Sequence, residues 1–596
     1  MVFFNSFGQG KENIRKLDQL IASGRNAEAI ALIGSFSKTG LSDPEALYLT
    51  GKLYASQGNY RLAILFLNQA LEKSENSGFE LLYLLGDVLH KSNQFAEAAE
   101  SYSRCLAFGK EKLTVAEKIK QCKLGENLKA NPLEVRISNL GVNVNSAENE
   151  LRPMVSPDFL RMFFLRKNSE TKSSQFFQTY NHSTWEKASV FPASWNLDNA
   201  GFHFSGISPD GQTLYLESQQ GKGDIYLSQL EGGVWSAPKS FVWNSPRFAE
   251  SSVSISADGN LVFFVSDRSG NKDIWYCNKK GNSWANPRKT GPEVNTNREE
   301  ESPWLDADGQ YLYFSSKGHE GIGGFDIFRV PFEKNGAKPE NIGYPINSAG
   351  DDIHFMLMPD EKTAFYSSVR DGGQGGFDIF SVRMSISGSP QLLLYKGSVS
   401  DGYGSPVDAA ITITETGQSK PVAKLKANPE TGTFVTLLPT GKSYSVLVEK
   451  EGYLFYSDLL NLRDQPVDRE SERKIKLQKL LPGTSLILNN IFFDAGKSSL
   501  RKESSPELQR ILLILRQNPG IKVEISGHIE SGGPEDILLK LTENRAQAVV
   551  DYLVATGIKS SRLIPKGFGS SKTGKEKSAS PDQKVARTEF RVISTQ

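Results

Sequence analysis

The chain has 596 residues, enough for three to five cores rather than one. Its 69 basic and 68 acidic residues balance, which removes any overall field favouring nucleic acid or anionic lipid. The longest aliphatic runs, such as Ile511 to Leu515, fall far short of the roughly 20 residues that span a bilayer.

Met1 to Gln9 read apolar and then small, with neither a basic n-region nor a full apolar core. They suit the tail of a signal peptide whose start is missing, or equally the frayed beginning of a cytosolic protein. No cysteine stands near them to take a lipid. The three cysteines, Cys105, Cys122 and Cys277, are too few for a disulfide framework and too scattered for a zinc site. They read as buried thiols, although Cys105 and Cys122 could meet within one helical array.

From about 12 to 128 the pattern is helical, and small residues recur at a period near 34. Gly51, Tyr54, Ala63 and Ala70 are followed about 35 residues later by Gly86, Leu89, Ala98 and Tyr102, and Ala29 precedes Ala63 by 34. Small side chains at these places let paired helices approach closely. The segment resembles about three tetratricopeptide units. Such an array serves as a concave protein-binding groove or as a helical cap on the next domain, and the sequence leaves both open.

From about 135 to 385 a different unit recurs: a turn, an aromatic strand, a Ser-rich stretch and an acidic-aromatic strand. Examples are Asp258-Gly259, Val262-Phe263-Phe264 and Asp273-Ile274-Trp275, then Asp308-Gly309, Tyr311 to Phe314 and Asp326-Ile327-Phe328. The turn positions 158, 210, 258, 308 and 360 are separated by 52, 48, 50 and 52 residues, the period of a propeller blade. Asp-Gly supplies the positive-φ residues of a tight hairpin. Five copies predict five blades, and the units resemble PD40, or TolB-like, repeats. Acidic segments lie between them: Asn145-Ser146 with Glu148 and Glu150, Asn295-Thr296 with Glu299 to Glu301, and Asn347-Ser348 with Asp351-Asp352. Carboxylates facing a propeller axis could hold a cation; turns and inter-blade hydrogen bonds account for the same residues more simply, and no metal or cofactor is expected.

From about 392 to 478, alternating β-branched residues broken by Gly and Pro predict roughly seven short strands. The order resembles the noncatalytic carboxypeptidase regulatory-like fold and implies a spacer or docking module.

The last zone, 485 to 596, opens with a strand-like run, Asn490 to Asp494, and an amphipathic helix carrying Leu508, Ile511, Leu512 and Leu515. A strand at Val523 to Ser526 leads into Gly527-His528-Ile529-Glu530. A helix follows from about Leu538 to Thr556 with Leu541-Thr542-Glu543-Asn544-Arg545-Ala546, and a strand from Arg587 to Val592 closes the zone. This succession resembles the C-terminal domain of the OmpA family. The resemblance implies binding of the diaminopimelate side chain of peptidoglycan, with Glu530 and Arg545 in the acidic and guanidinium places and Asp494 and His528 beside them. A zwitterionic ligand end needs one group of each charge, and the planar guanidinium fork suits a carboxylate. Three departures stand out: Glu530 where the family has aspartate, Ile529 for threonine, and Leu538 for asparagine. His528 is expected to stabilise the loop rather than perform chemistry.

The fold class is therefore multidomain: an α-helical tetratricopeptide array (12–128), an all-β five-bladed propeller (135–385), a β-sandwich (392–478) and an α+β OmpA-like domain (485–596). This order resembles the PorE-like proteins of Bacteroidetes, and Cys122 within Gln121 to Gly125 fits their junction. The resemblance implies a non-enzymatic periplasmic scaffold of type IX secretion that ties machinery near the outer membrane to peptidoglycan through diaminopimelate. A wall-anchored envelope-stability protein without a role in secretion would show the same residues. Protein partners are expected on the array and the propeller, and neither nucleic acid nor a transmembrane segment is. A hydrolase reading lacks both a Gly-x-Ser-x-Gly elbow and paired His ligands.

Overall fold

A computed structural model of the chain describes residues 2–595 except 37–42, 75–77, 157–158, 172, 182, 194–200, 209–210, 219–221, 232–233, 257–258, 281–282, 307–308, 333–335, 359–361, 385–391, 419–420, 464–469, 495, 530–532 and 571–586. Its helical array comprises α1 (Val2–Ala22), α2 (Asn26–Ser35), α3 (Pro44–Ser56), α4 (Tyr60–Lys73), α5 (Phe79–Lys91), α6 (Phe95–Cys105) and α7 (Lys112–Ala130). The first helix begins at Val2, ten residues before the expected start of the array, and takes in Val2 to Gln9. The 34-residue period has the expected cause. A Cβ on Gly51 would lie 2.7 Å from Leu67, and one on Gly86 2.8 Å from Tyr102, so the pairs α3–α4 and α5–α6 each close over a glycine. The turns within the pairs recur with it, at Gly24, Gly58 and Asn93, all with positive φ. The three cysteines are buried and unbridged.

Among the described residues, five sheets form the propeller. Their innermost strands are Asn149–Val155, Phe202–Ile207, Glu250–Ile255, Glu300–Leu305 and Asp352–Leu357. The ring closes when Val135–Asn139 pairs antiparallel with Asp378–Met384, so the first strand of the region completes the last blade. Gly211, Gly259 and Gly309 have the positive φ that the Asp-Gly hairpins require; the preceding aspartates lie outside the described residues. Each innermost strand carries a register shift, and in four of the five Arg152, Ser252, Ser302 and His354 take positive φ there. These four residues line a small cavity at the centre of the ring. Around it Arg152 pairs with Glu217 at 2.8 Å and Lys272 with Glu301 at 2.5 Å.

The acidic segments between blades serve the fold. Asn145, Asn295 and Asn347 each bond both the N–H and the C=O of an isoleucine in an acidic-aromatic strand: Ile379, Ile274 and Ile327. The carboxylate five residues on then takes the N–H and hydroxyl of the intervening Ser or Thr. Glu150 does so with Ser146, Glu300 with Thr296 and Asp352 with Ser348. Arg166 and Arg370 complete two of these latches at 2.7 and 2.6 Å. All three carboxylates are fully buried, so their lone pairs are used by the chain itself. Among the described residues no group of three or more His, Cys, Asp or Glu is arranged to hold a metal ion.

The sandwich has seven strands among the described residues, in sheets of three and four. The C-terminal domain is a four-stranded sheet, in the order Ser485–Leu488, Arg587–Ser594, Lys522–His528 and Leu563–Gly567. Helices α8 (Ser505–Gln517) and α9 (Glu535–Ala555) pack into one core with it. One expectation is corrected here: Asn490 to Asp494 is not a strand. The strand ends at Leu488 because Asn489 and Asn490 turn away to bond Ser457 and Glu507, leaving only a bridge between Phe493 and Leu500.

Every neighbouring pair of domains shares a specific joint. Ile322, from blade 4, is fully buried in the core of the helical array, and Gln121 donates to the carbonyl of Gly323 at 2.9 Å. Gln212 of the propeller donates to the carbonyls of Lys426 and Ala427 in the sandwich. Leu447, Leu454 and Phe455 of the sandwich belong to the core of the C-terminal domain. At that last joint Glu507 is 2% exposed and accepts from Ser457 at 2.5 Å and from Asn490 at 3.3 Å. Burial raises its pKa above the ordinary 4.5 against those hydrogen bonds. A carboxyl with a raised folded pKa contributes stability that is complete below its unfolded value and is lost as pH rises through its folded value. Glu507→Gln is therefore expected to gain melting temperature over the parent as pH goes from 4 to 8, its amide finding the unpartnered Oδ1 of Asn490. Scanning calorimetry at the two pH values checks this; a constant difference would refute it.

Candidate functional site

Arg545 stands on α9, whose packing fixes it. Ala546 and Thr542 are fully buried, and the Thr542 hydroxyl bonds back to Leu538 and Leu539 while accepting from the N–H of Gly569. Gly527 allows the helix to lie on the sheet, since a Cβ there would stand 2.4 Å from the Thr542 carbonyl. Arg545 is thereby half-buried against the loop that follows Phe492. Its Nε donates to the carbonyl of Lys497 at 3.0 Å, and its guanidinium carbon lies 5.0 Å from the centre of the Phe493 ring. Burial lowers its pKa from 12.5, which leaves it charged at neutral pH. Among the described residues no carboxylate pairs with it, so the fork is oriented without being neutralised.

Asp494 lies in the same loop, exposed, its carboxylate accepting from Ser499 at 2.8 Å. The loop is closed by hydrogen bonds between Asp494 and Ser499 and by the turn at Gly496, where φ is +67°. The structure thus brings Asp494 and Arg545 to one loop. Phe493 and Lys497, which hold the guanidinium, are contacts that sequence reasoning missed; the Gly-Lys pair after Phe493-Asp494 is the turn signal that would have marked them.

His528 lies elsewhere. Val523 and Ile525 are in the core and Gly527 faces α9, so Glu524, Ser526 and His528 project from the opposite face of the sheet. There His528 is 4% exposed, stacks on Phe568 at 5.0 Å and pairs with Glu589 at 3.4 Å. Its hydrogen bond is the main reason the Glu589 carboxyl is held below its ordinary pKa. These contacts hold the end of the strand, and the alternation of side chains puts His528 and Arg545 on opposite faces of the sheet rather than side by side. Glu530 lies outside the described residues. Ile529 donates its N–H to Gly569, and Leu538 is buried, 7% exposed, in the first turn of α9.

Residues 492–587 match the model of the OmpA family, and residues 15–78 and 79–108 match models of the tetratricopeptide repeat. Over 96 residues the chain is 38% identical to the photosystem I P700 chlorophyll a apoprotein A2 of Gloeobacter violaceus, covering 16% of this chain and 11% of that protein. Over 84 residues it is 31% identical to the peptidoglycan-associated lipoprotein of Agrobacterium fabrum, covering 14% of this chain and 48% of that protein. The chain spans less than half the length of these curated relatives. Among solved structures, TolB from Acinetobacter baumannii aligns with a TM-score of 0.26 at 15% identity, over 40% of this chain and 55% of that one. No helix among the described residues is long and apolar enough to cross a membrane.

Proposed function

We propose that this chain is a non-enzymatic scaffold of the periplasm, fixed to the cell wall by its C-terminal domain, with the Arg545 fork receiving the carboxylate of the diaminopimelate side chain. The observation that carries this reading is the guanidinium itself: held by Phe493 and the Lys497 carbonyl, half-exposed, and without a carboxylate partner among the described residues. Its place in a domain of the OmpA family, and the similarity to a peptidoglycan-associated lipoprotein, support the choice of ligand. Asp494 is the described carboxylate on the same loop and supplies negative charge towards the ligand's ammonium, in addition to Glu530. The test is sedimentation of the full chain with purified sacculi. Saturable binding that free meso-diaminopimelate competes away is expected; co-sedimentation indifferent to the free amino acid would remove the assigned ligand.

The order of the domains supports a role in holding components of a type IX secretion machine near the outer membrane, the array and propeller presenting them and the last domain bearing the load. Packed cores join the array to the propeller and the sandwich to the last domain, and hydrogen bonds from Gln212 tie the propeller to the sandwich, so every neighbouring pair has a contact through which force at the wall can pass. Crosslinking in intact cells separates this from a general envelope-stability role: recovery of secretion components supports the former, and recovery of wall components alone the latter.

A further inference from the structure

A cleft of about 650 Å³ opens between blades 5 and 1 of the propeller and the three-stranded sheet of the sandwich. One wall is a face of blade 5. Arg136 and Arg383 are Cα partners there in adjacent antiparallel strands, so both side chains leave the same face of the sheet. Like charges placed directly opposite destabilise a strand pair. Both arginines are nevertheless exposed, and among the described residues neither contacts a carboxylate. On the facing wall Lys396 stands beside Glu472, its Cα partner in the parallel pair of the sandwich. The lining therefore sets three cations against one carboxylate. Blade 1 adds Leu160 and Trp185, whose ring meets Phe365 edge-on at 5.9 Å.

We propose that this cleft binds an acidic peptide segment of a protein partner. Two guanidinium forks on neighbouring strands match two carboxylates borne two residues apart on an extended chain, a spacing of about 6.6 Å. Such a chain turns its intervening side chain the other way, towards apolar surface of the kind Trp185 and Leu160 offer. A bare phosphate would suit the forks and leave the aromatic wall unused, so the mixed lining favours a peptide. The site is separate from the Arg545 loop, and its occupant is a different ligand from the wall.

The test uses the full chain and a fluorescein-labelled peptide alternating aspartate with leucine, read by fluorescence anisotropy. Saturable binding is expected, weakened at least tenfold in the Arg136→Ala, Arg383→Ala double variant and unchanged by Lys239→Ala, an exposed lysine on blade 2. The melting temperature of the double variant should equal or exceed the parent's, because the substitution relieves repulsion. Equal binding by the double variant would overturn the proposal. So would full displacement by millimolar inorganic phosphate, or equal binding of a peptide alternating serine with leucine. A fall in melting temperature would also overturn it, since the arginines would then be holding the fold.

Discussion

Arg545→Ala is expected to lower the affinity of the full chain for purified sacculi by roughly 10- to 150-fold, which corresponds to the loss of one charge-assisted interaction of about 1.5–3 kcal/mol. Arg545→Lys should fall between the two, because an ammonium keeps the charge and loses the planar fork. The side chain also packs on Phe493 and bonds the Lys497 carbonyl, so some loss of loop order accompanies the alanine variant. Phe493→Leu separates the effects: it removes the ring under the guanidinium while leaving the charge, and should cost binding less than the alanine variant does. Sedimentation with sacculi at fixed ionic strength gives the affinities, and calorimetry reports any change in folding. If Arg545→Ala binds as tightly as the parent, the ligand does not sit at this loop.

Ile322→Asp is expected to detach the helical array from the propeller. Ile322 has no exposed surface and belongs to the cluster that includes Leu82, Leu85, Phe95 and Cys122; burying a carboxylate among such side chains costs several kcal/mol. The other ties are smaller: Ala349 and Tyr344 pack at the same cluster, the Gln121 side chain bonds the Gly323 carbonyl, and the half-exposed Arg298 to Glu117 pair contributes about 0–1 kcal/mol. Blade 5 provides the control, since Gln374 stands at the equivalent place in its Gly-Gly-Phe-Asp segment and is exposed. Ile322→Gln should therefore be milder than Ile322→Asp. Small-angle scattering should show a larger radius of gyration for the aspartate variant, and hydrogen exchange should quicken in α7 and across residues 318–325. Unchanged scattering and exchange would mean that the array is held by other contacts.

Much of this architecture was legible in one dimension because repeats advertise themselves by period. Glycines and alanines spaced by 34 or 35 residues are the helix crossings, and the Asp-Gly turns spaced by about 50 are the blade hairpins. The segments between blades were legible as acidic; their role as latches depended on an Asn finding an isoleucine on a strand up to 234 residues away, which no local pattern encodes. His528 is instructive in the other direction. Counting alternate residues from Val523 places it on the face opposite Gly527, so its separation from Arg545 was available in the sequence to a strict two-residue period. Asn490 to Asp494 misled because its apolar run satisfies strand patterning, while Asn489 just before it bonds Ser457 of the neighbouring domain and Asn490 bonds Glu507 of α8.

By itself, then, the sequence determined the four kinds of domain, their order, the number of blades and the helix that carries Arg545. The tertiary structure alone decided which blade receives the array, which loop holds the guanidinium, and that two arginines from opposite ends of the propeller region meet across a shared pair of strands. The division has a physical cause. Periodicity records which face of each element avoids water, a property of neighbouring residues, whereas joints and sites are made by residues that break the repeat and take their meaning from whatever the closed ring and the packed cores bring beside them.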